Sequence, residues 1–203
     1  MSKDYVSIVS PKGIAIYPWL TKCDTKFNPL GEYKVSLSVP SEEATLLMGK
    51  IDGVIEEAKK LIPQGKKQKE ADAPYFNELD EDGGETGNVV FKFKMKAKIV
   101  TKDGRNIDMS PKLFDASGSL MSDCPDVWGG STIKVSADLI PFYVAAVGSG
   151  VSLRMKAVQV IDLKTGGGAD AGAYGFGKEE GYEAPQQQAE QNEFVDTDDQ
   201  EDF

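Results

Sequence analysis

The stretch Phe91-Lys92-Phe93-Lys94-Met95-Lys96-Ala97-Lys98-Ile99 alternates apolar and cationic residues without a break. Side chains of a β-strand alternate with period two. The pattern therefore predicts a strand with Phe91, Phe93, Met95, Ala97 and Ile99 on a core face and Lys92, Lys94, Lys96 and Lys98 in a row on the other. Like charges roughly 7 Å apart on one face repel, so the row adds nothing to the strand's own stability. It suits a polyanion laid along it, whose phosphates release counterions as lysines replace them. The structural alternative is a solvated edge that uses Lys to resist aggregation.

Composition narrows the setting. A chain of 203 residues, 40% hydrophobic, is long enough to bury one core, and one domain with appendages is the expected organisation. No apolar run reaches the length of a membrane span and the first residues are polar, which predicts a soluble, intracellular protein with no membrane partner. Cys23 and Cys124 stand far apart without a Cys-x-x-Cys pair and are expected to be unpaired thiols. Histidine is absent, which excludes Ser-His-Asp and Cys-His catalysis and His-based metal sites; no cofactor or metal is expected.

The net charge of −10 is unevenly placed. Residues 179–203 hold ten acids and no Lys or Arg. Removing those ten from the 33 acids of the chain leaves 23, equal to its 23 Lys and Arg, so residues 1–178 are neutral overall.

In chain order, Tyr5–Val9 and Gly13–Trp19 read as strands. Pro18 marks an edge or strand end from which Tyr17 and Trp19 project. Gly31–Val39 alternates as a half-buried strand. A helix is expected over about 41–62, with Ser41 as N-cap, Glu42 and Glu43 in its first turn, and Leu47, Ile51, Val54, Ile55, Ala58 and Ile62 on its apolar face. Residues 64–88 lack periodicity and read as a mobile loop, and the acidic run Glu78–Glu85 lacks the spacing of a calcium loop. The lysine strand is expected to run from Val89 to about Val100. Asp103-Gly104 signals a hairpin into Asn106–Met109, and a shorter hairpin follows around Ala116-Ser117-Gly118. Thr132–Leu139 alternates, Pro141–Val144 is expected to be a turn exposing Phe142 and Tyr143, and Val151–Ala157 closes the sheet with Arg154 and Lys156 on its polar face.

This inventory, many short strands and one inserted long helix, predicts an all-β class: an OB-fold-like five-stranded barrel over residues 1–165. Residues 166–178 hold six glycines and read as a flexible linker; residues 179–203 form an acidic tail with the composition of disorder.

The pieces Gly-x-Tyr-Lys-Val-x-Leu-x-x-Pro at 31–40, Phe-Lys-Phe-Lys at 91–94, Gly-Gly-Ser before the strand at 132–139, and Ala-Val-Gly at 146–148 leading to a Gly-Gly-Gly run resemble the single-stranded DNA-binding proteins of T-seven-like short-tailed phages and their relatives. The order matches over most of the body, and an acidic tail with an aromatic last residue completes it. The resemblance implies an OB-fold protein that coats single-stranded DNA in phage replication, recombination and repair, anneals complementary strands, and works in the cytoplasm of the infected host. It also implies a homodimer whose tail, including Asp196, Asp198, Asp199, Glu201, Asp202 and Phe203, contacts the replicative polymerase and the primase-helicase. By position it places Lys92, Lys94, Lys96, Lys134 and Phe142 in or beside the groove. Near Lys96 the best-known relative carries an aromatic, so stacking is expected to shift to Phe142 and Tyr143, with Tyr17 and Trp19 as further candidates.

Two other functions fit parts of the sequence. A nuclease would hold magnesium on Asp103, Asp108, Asp115, Asp123 or Asp126, but no carboxylate pair has convincing spacing. An adaptor would bind protein through the barrel and mimic DNA with its tail. Tethered by some 20 residues with a coil reach of about 25 Å, the tail is expected to return to the lysine face and compete with DNA.

Overall fold

The computed structural model describes residues 5–66, 68–101 and 103–164. The proposed linker 166–178 and tail 179–203 lie outside them, as do all the tail residues singled out above.

Ten strands and one helix make up this part: β1 (Val6–Val9), β2 (Gly13–Asp24), β3 (Glu32–Pro40), α1 (Ser41–Lys59), β4 (Tyr75–Leu79), β5 (Glu85–Lys96), β6 (Lys98–Val100), β7 (Asn106–Asp108), β8 (Lys112–Phe114), β9 (Thr132–Val144) and β10 (Gly148–Asp162). β9, β2, β3, β5 and β10 pair in that order, and β10 pairs back onto β9, which closes a five-stranded ring. All junctions are antiparallel except β5–β10, where Leu153 and Arg154 lie beside Phe93 and Lys94. Closure removes the open edges that a small sheet would otherwise expose.

The alternation in β5 is as expected up to its last turn. Phe91, Phe93 and Met95 point inward and are buried, and Lys92, Lys94 and Lys96 are exposed. They meet Val35, Leu37 and Val39 from β3, Ile133, Val135 and Leu139 from β9, and Leu153 and Met155 from β10 in one core. Helix α1 covers that core with Ala44, Leu47 and Ile51.

Several expectations are corrected. The lysine strand does not continue to Val100: the chain bends at Ala97, and Lys98–Val100 forms a separate hairpin with Asn106–Asp108, so Ile99 is exposed instead of joining the core. A barrel strand curves away after its ring partners end, and here the backbone N–H of Ala97 bonds Gly31 while its carbonyl accepts from Met109. The helix ends at Lys59 rather than 62. Its N-cap position is Pro40, with no side-chain cap, and the Ser41 hydroxyl instead donates to the Gly87 carbonyl at 2.7 Å. Residues 64–88 are not one loop, because β4 pairs with β5 through Tyr75–Phe91 and Phe76–Val90. Phe142 and Tyr143 lie within β9 and not in a turn.

β2 carries a one-residue slip of phase. Gly13 and Ala15 face inward, but after the bulge between Ile16 and Trp19 the inward residue is Leu20. A bulge inserts one unpaired residue and flips every later side chain to the opposite face. Pro18 cannot donate to a ladder, which is why the bulge falls there. Tyr17 takes up the turn with φ of +47°, a left-handed conformation that costs about 1–3 kcal/mol in a non-glycine residue.

Phe91 is fully buried, with its ring 5.8 Å from that of Tyr75. Phe91→Ala is expected to destabilise the barrel by about 3–5 kcal/mol, visible as a lower midpoint in urea unfolding with little change in slope.

Candidate nucleic-acid interface

An open cleft of about 790 Å³ crosses the outer wall of the barrel where β2, β3, β5 and β10 meet. Lys92 and Lys94 of β5, Lys34 of β3 and Lys26 of the β2–β3 connection line it. So do four rings: Tyr17, Trp19, Phe27 and Phe142. Tyr17 and Phe27 are each 83% exposed, a large apolar surface left in water by side chains that a fold alone would tuck away.

The strands set these positions. Lys34 lies directly opposite Lys94 in the β3–β5 ladder, and Arg154 lies beside Lys94 across β5–β10, so three cations sit abreast on neighbouring strands. The bulge in β2 turns Tyr17 and Trp19 outward over the cleft. Gly150 stands opposite Phe142 on β10, and a Cβ there would come within 3.0 Å of the Phe142 ring. Residues 71–74 form the remaining wall: the Ala71 N–H donates to the Ser149 carbonyl, and the Lys92 N–H donates to the Pro74 carbonyl. Gly148 permits this strap, since a Cβ there would lie 2.5 Å from the Lys69 carbonyl oxygen.

The cations fall into two groups. No carboxylate among the described residues lies within 4.0 Å of Lys92, Lys94 or Lys96, and the Lys92 ammonium sits 4.7 Å from the Phe76 ring centre. Lys34 is held by Asp24 at 2.5 Å. That ammonium, with the Lys26 backbone N–H, keeps the Asp24 carboxyl below the usual carboxylate range. The second group is paired: Asp138 accepts from Arg154 at 3.0 Å, from Lys156 at 2.6 Å and from the Ser7 hydroxyl at 2.6 Å.

Of the residues singled out from sequence, the structure brings together Lys92, Lys94, Phe142, Tyr17 and Trp19. Lys96 shares their strand face just beyond the cleft, opposite Glu32. Lys98 does not belong to the row; it stands on the separate hairpin, 3.8 Å from Asp108. Tyr143 points to the other side of β9 from Phe142. Arg154 borders the cleft but is paired, and Lys156 is paired away from it. Lys134 lines a different concavity between β1 and α1. Sequence reasoning missed Lys26, Lys34 and Phe27. The polar face of the alternating stretch 31–39 was a signal for Lys34; nothing in the irregular Cys23–Pro29 segment marked Phe27.

Among the described residues no group of three or more Cys, Asp or Glu is placed to hold a metal ion, and no helix is long and apolar enough to cross a membrane. Cys23 and Cys124 are both free thiols.

A closed five-stranded ring with an inserted helix and a ligand-sized cleft on one wall defines the OB-fold class, whose members use that wall for oligonucleotides and oligosaccharides. A family model described as single-stranded DNA-binding protein, bacteriophage T7, matches residues 12–163, and the chain belongs to that family. The single-stranded DNA-binding protein of Escherichia phage T7 is 31% identical, with 77% of this chain and 73% of the relative covered. That of Enterobacteria phage T3 is 29% identical, covering 70% and 68%. The crystal structure of gp2.5, the phage T7 protein, superposes with a TM-score of 0.67 at 29% identity, over 78% of this chain and 93% of that one. The single-stranded DNA-binding protein of bacteriophage Enc34 in complex with single-stranded DNA shares the fold, with a TM-score of 0.55 at 13% identity over 80% and 89%.

Burial opposes ionisation of Asp138, but the hydrogen bonds from Lys156, Ser7 and Arg154 outweigh it, and the carboxyl is pushed down to about 2 from the ordinary 3.8. A folded-state value below the unfolded one means that the ionised group favours folding above the ordinary pKa. The stabilisation is therefore complete above about pH 4 and is lost as pH falls toward 2. Asp138→Asn is expected to lower the melting temperature at pH 7 and to flatten the acid limb, so that melting curves of variant and wild type converge as pH approaches 2.

Proposed function

We propose that this protein coats single-stranded DNA without sequence preference, through the cleft of Lys26, Lys34, Lys92 and Lys94 edged by Tyr17, Trp19, Phe27 and Phe142. The observation that carries this reading is that Lys26, Lys92 and Lys94 have no carboxylate within 4.0 Å among the described residues and have exposed rings beside them. Cations follow a phosphate backbone, and aromatic faces stack any base. Membership of the T7 single-stranded DNA-binding family supports it. The strained Tyr17 backbone supports it too, since local strain collects where a side chain is aimed for binding.

In this reading the protein serves phage DNA replication, recombination and repair in the cytoplasm of the infected host, anneals complementary strands, and acts as a homodimer. The acidic tail competes with DNA for the cleft when DNA is scarce. Displaced by DNA, it recruits the phage polymerase and primase-helicase, with Phe203 as its anchor. Ten acids without a single Lys or Arg in residues 179–203 support the tail's part.

With about four phosphates neutralised at about 0.7 each, log K for oligo-dT is expected to fall with log salt at a slope near −3. Lys92→Ala with Lys94→Ala is expected to shorten that slope by about 1.4, and Trp19→Ala to cost roughly 1–3 kcal/mol of binding. Fluorescence titrations across a salt series check both, and uptake that ignores salt returns the chain to the adaptor reading. Removing residues 179–203 is expected to tighten oligo-dT binding, most at low salt; an unchanged affinity would remove the competition.

A further inference from the structure

A second concavity, of about 610 Å³, lies between β1, the β1–β2 connection and the first turns of α1. It shares no lining residue with the first. Lys134 in it precedes Phe142 by eight positions on β9, or about 26 Å of extended chain, so the two clefts occupy separate stations on one strand.

Lys12, Lys50 and Lys134 line this cleft, and none has a carboxylate within 4.0 Å among the described residues. Glu43 is the one acid in its lining, so the cleft carries net positive charge. Its rim is apolar, with Leu46 82% and Val9 62% exposed. No aromatic ring is among its lining residues. Such a surface neutralises phosphates and packs against sugars and thymine methyl groups, but it cannot stack bases.

We propose that the cleft between β1 and α1 is a second polynucleotide contact, which holds a strand by its phosphate backbone and leaves its bases free to pair. The inference rests on the single-stranded DNA reading above and deepens it. One barrel then carries a stacking cleft and a phosphate-only cleft, so a strand held at the second site meets a strand bound at the first. Complementary bases on the second strand are already unstacked from protein when they meet. The chemistry that selects the occupant is a run of phosphates matched to three ammonium groups.

The test is Lys12→Glu with Lys50→Glu in the full chain, with melting temperatures confirming that the variant is folded. An oligo-dT of about eight nucleotides, within the span of one OB barrel, reads the first cleft alone and is expected to bind as in wild type. For long strands the salt slope is expected to shorten by about 1.4 or more, and annealing of complementary strands to slow by about tenfold or more. Annealing at the wild-type rate overturns the proposal. A drop in short-oligomer affinity also overturns it, because it shows an acidic segment such as residues 193–203 released from this cleft and competing at the first. A wild-type chain that ignores the short oligomer overturns the single-stranded DNA reading itself, which keeps the two failures apart.

Discussion

Strand β5 has partners along both edges, β3 on one side and β4 then β10 on the other, so its side chains have only two directions to take. One leads into the sealed interior of the ring, the other into water. Alternation of Phe91, Phe93 and Met95 with Lys92, Lys94 and Lys96 satisfies that constraint at every position. Burying the three large side chains contributes on the order of 1.5–3 kcal/mol each, far more than mutual repulsion of solvated lysines removes. The core thus holds a row of cations on the surface that no local interaction would assemble.

What separates a binding surface from an ordinary charged wall is where the acids went. On the β9–β10 side Asp138 gathers Arg154 and Lys156 into one closed cluster with Ser7. On the β3–β5 side Lys92 and Lys94 have no carboxylate within 4.0 Å among the described residues, and the exposed rings of Tyr17, Trp19 and Phe27 converge with the half-buried Phe142 on the same cleft. The lining of the cleft holds four lysines against Asp24, Glu32 and Asp72, so a body of neutral overall charge carries a small local excess of cations there.

Elements governed by a period were legible. The lysine strand, the strands 31–39 and 132–139, the helix face and closure into an OB-fold-like barrel all follow from alternation or from three- and four-residue spacing. Elements governed by a local break in the period were not. The bend at Ala97 took Lys98 and Ile99 out of the barrel, and the slip near Pro18 reversed the faces of β2. The course of β9 past its neighbours put Lys134 in a second cleft, although it shares a strand with Phe142. Phe27 was invisible because an irregular connection carries no pattern; only the turn pinned by the Asp24 carboxylate, which accepts the Lys26 N–H at 2.8 Å, sets that segment beside the cleft. Membership of the phage family was readable in short motifs, because those motifs are the buried faces and tight turns of the ring.

The chain has two tryptophans, Trp19 in the cleft and Trp128 outside it, and this permits a direct test of where DNA lies. Oligo-dT is titrated into Trp128→Phe and Trp19→Phe while indole emission is followed. Stacking in the cleft predicts strong, saturable quenching in Trp128→Phe and little in Trp19→Phe. Quenching that stays with Trp128 would contradict the placement of DNA against Lys92 and Lys94.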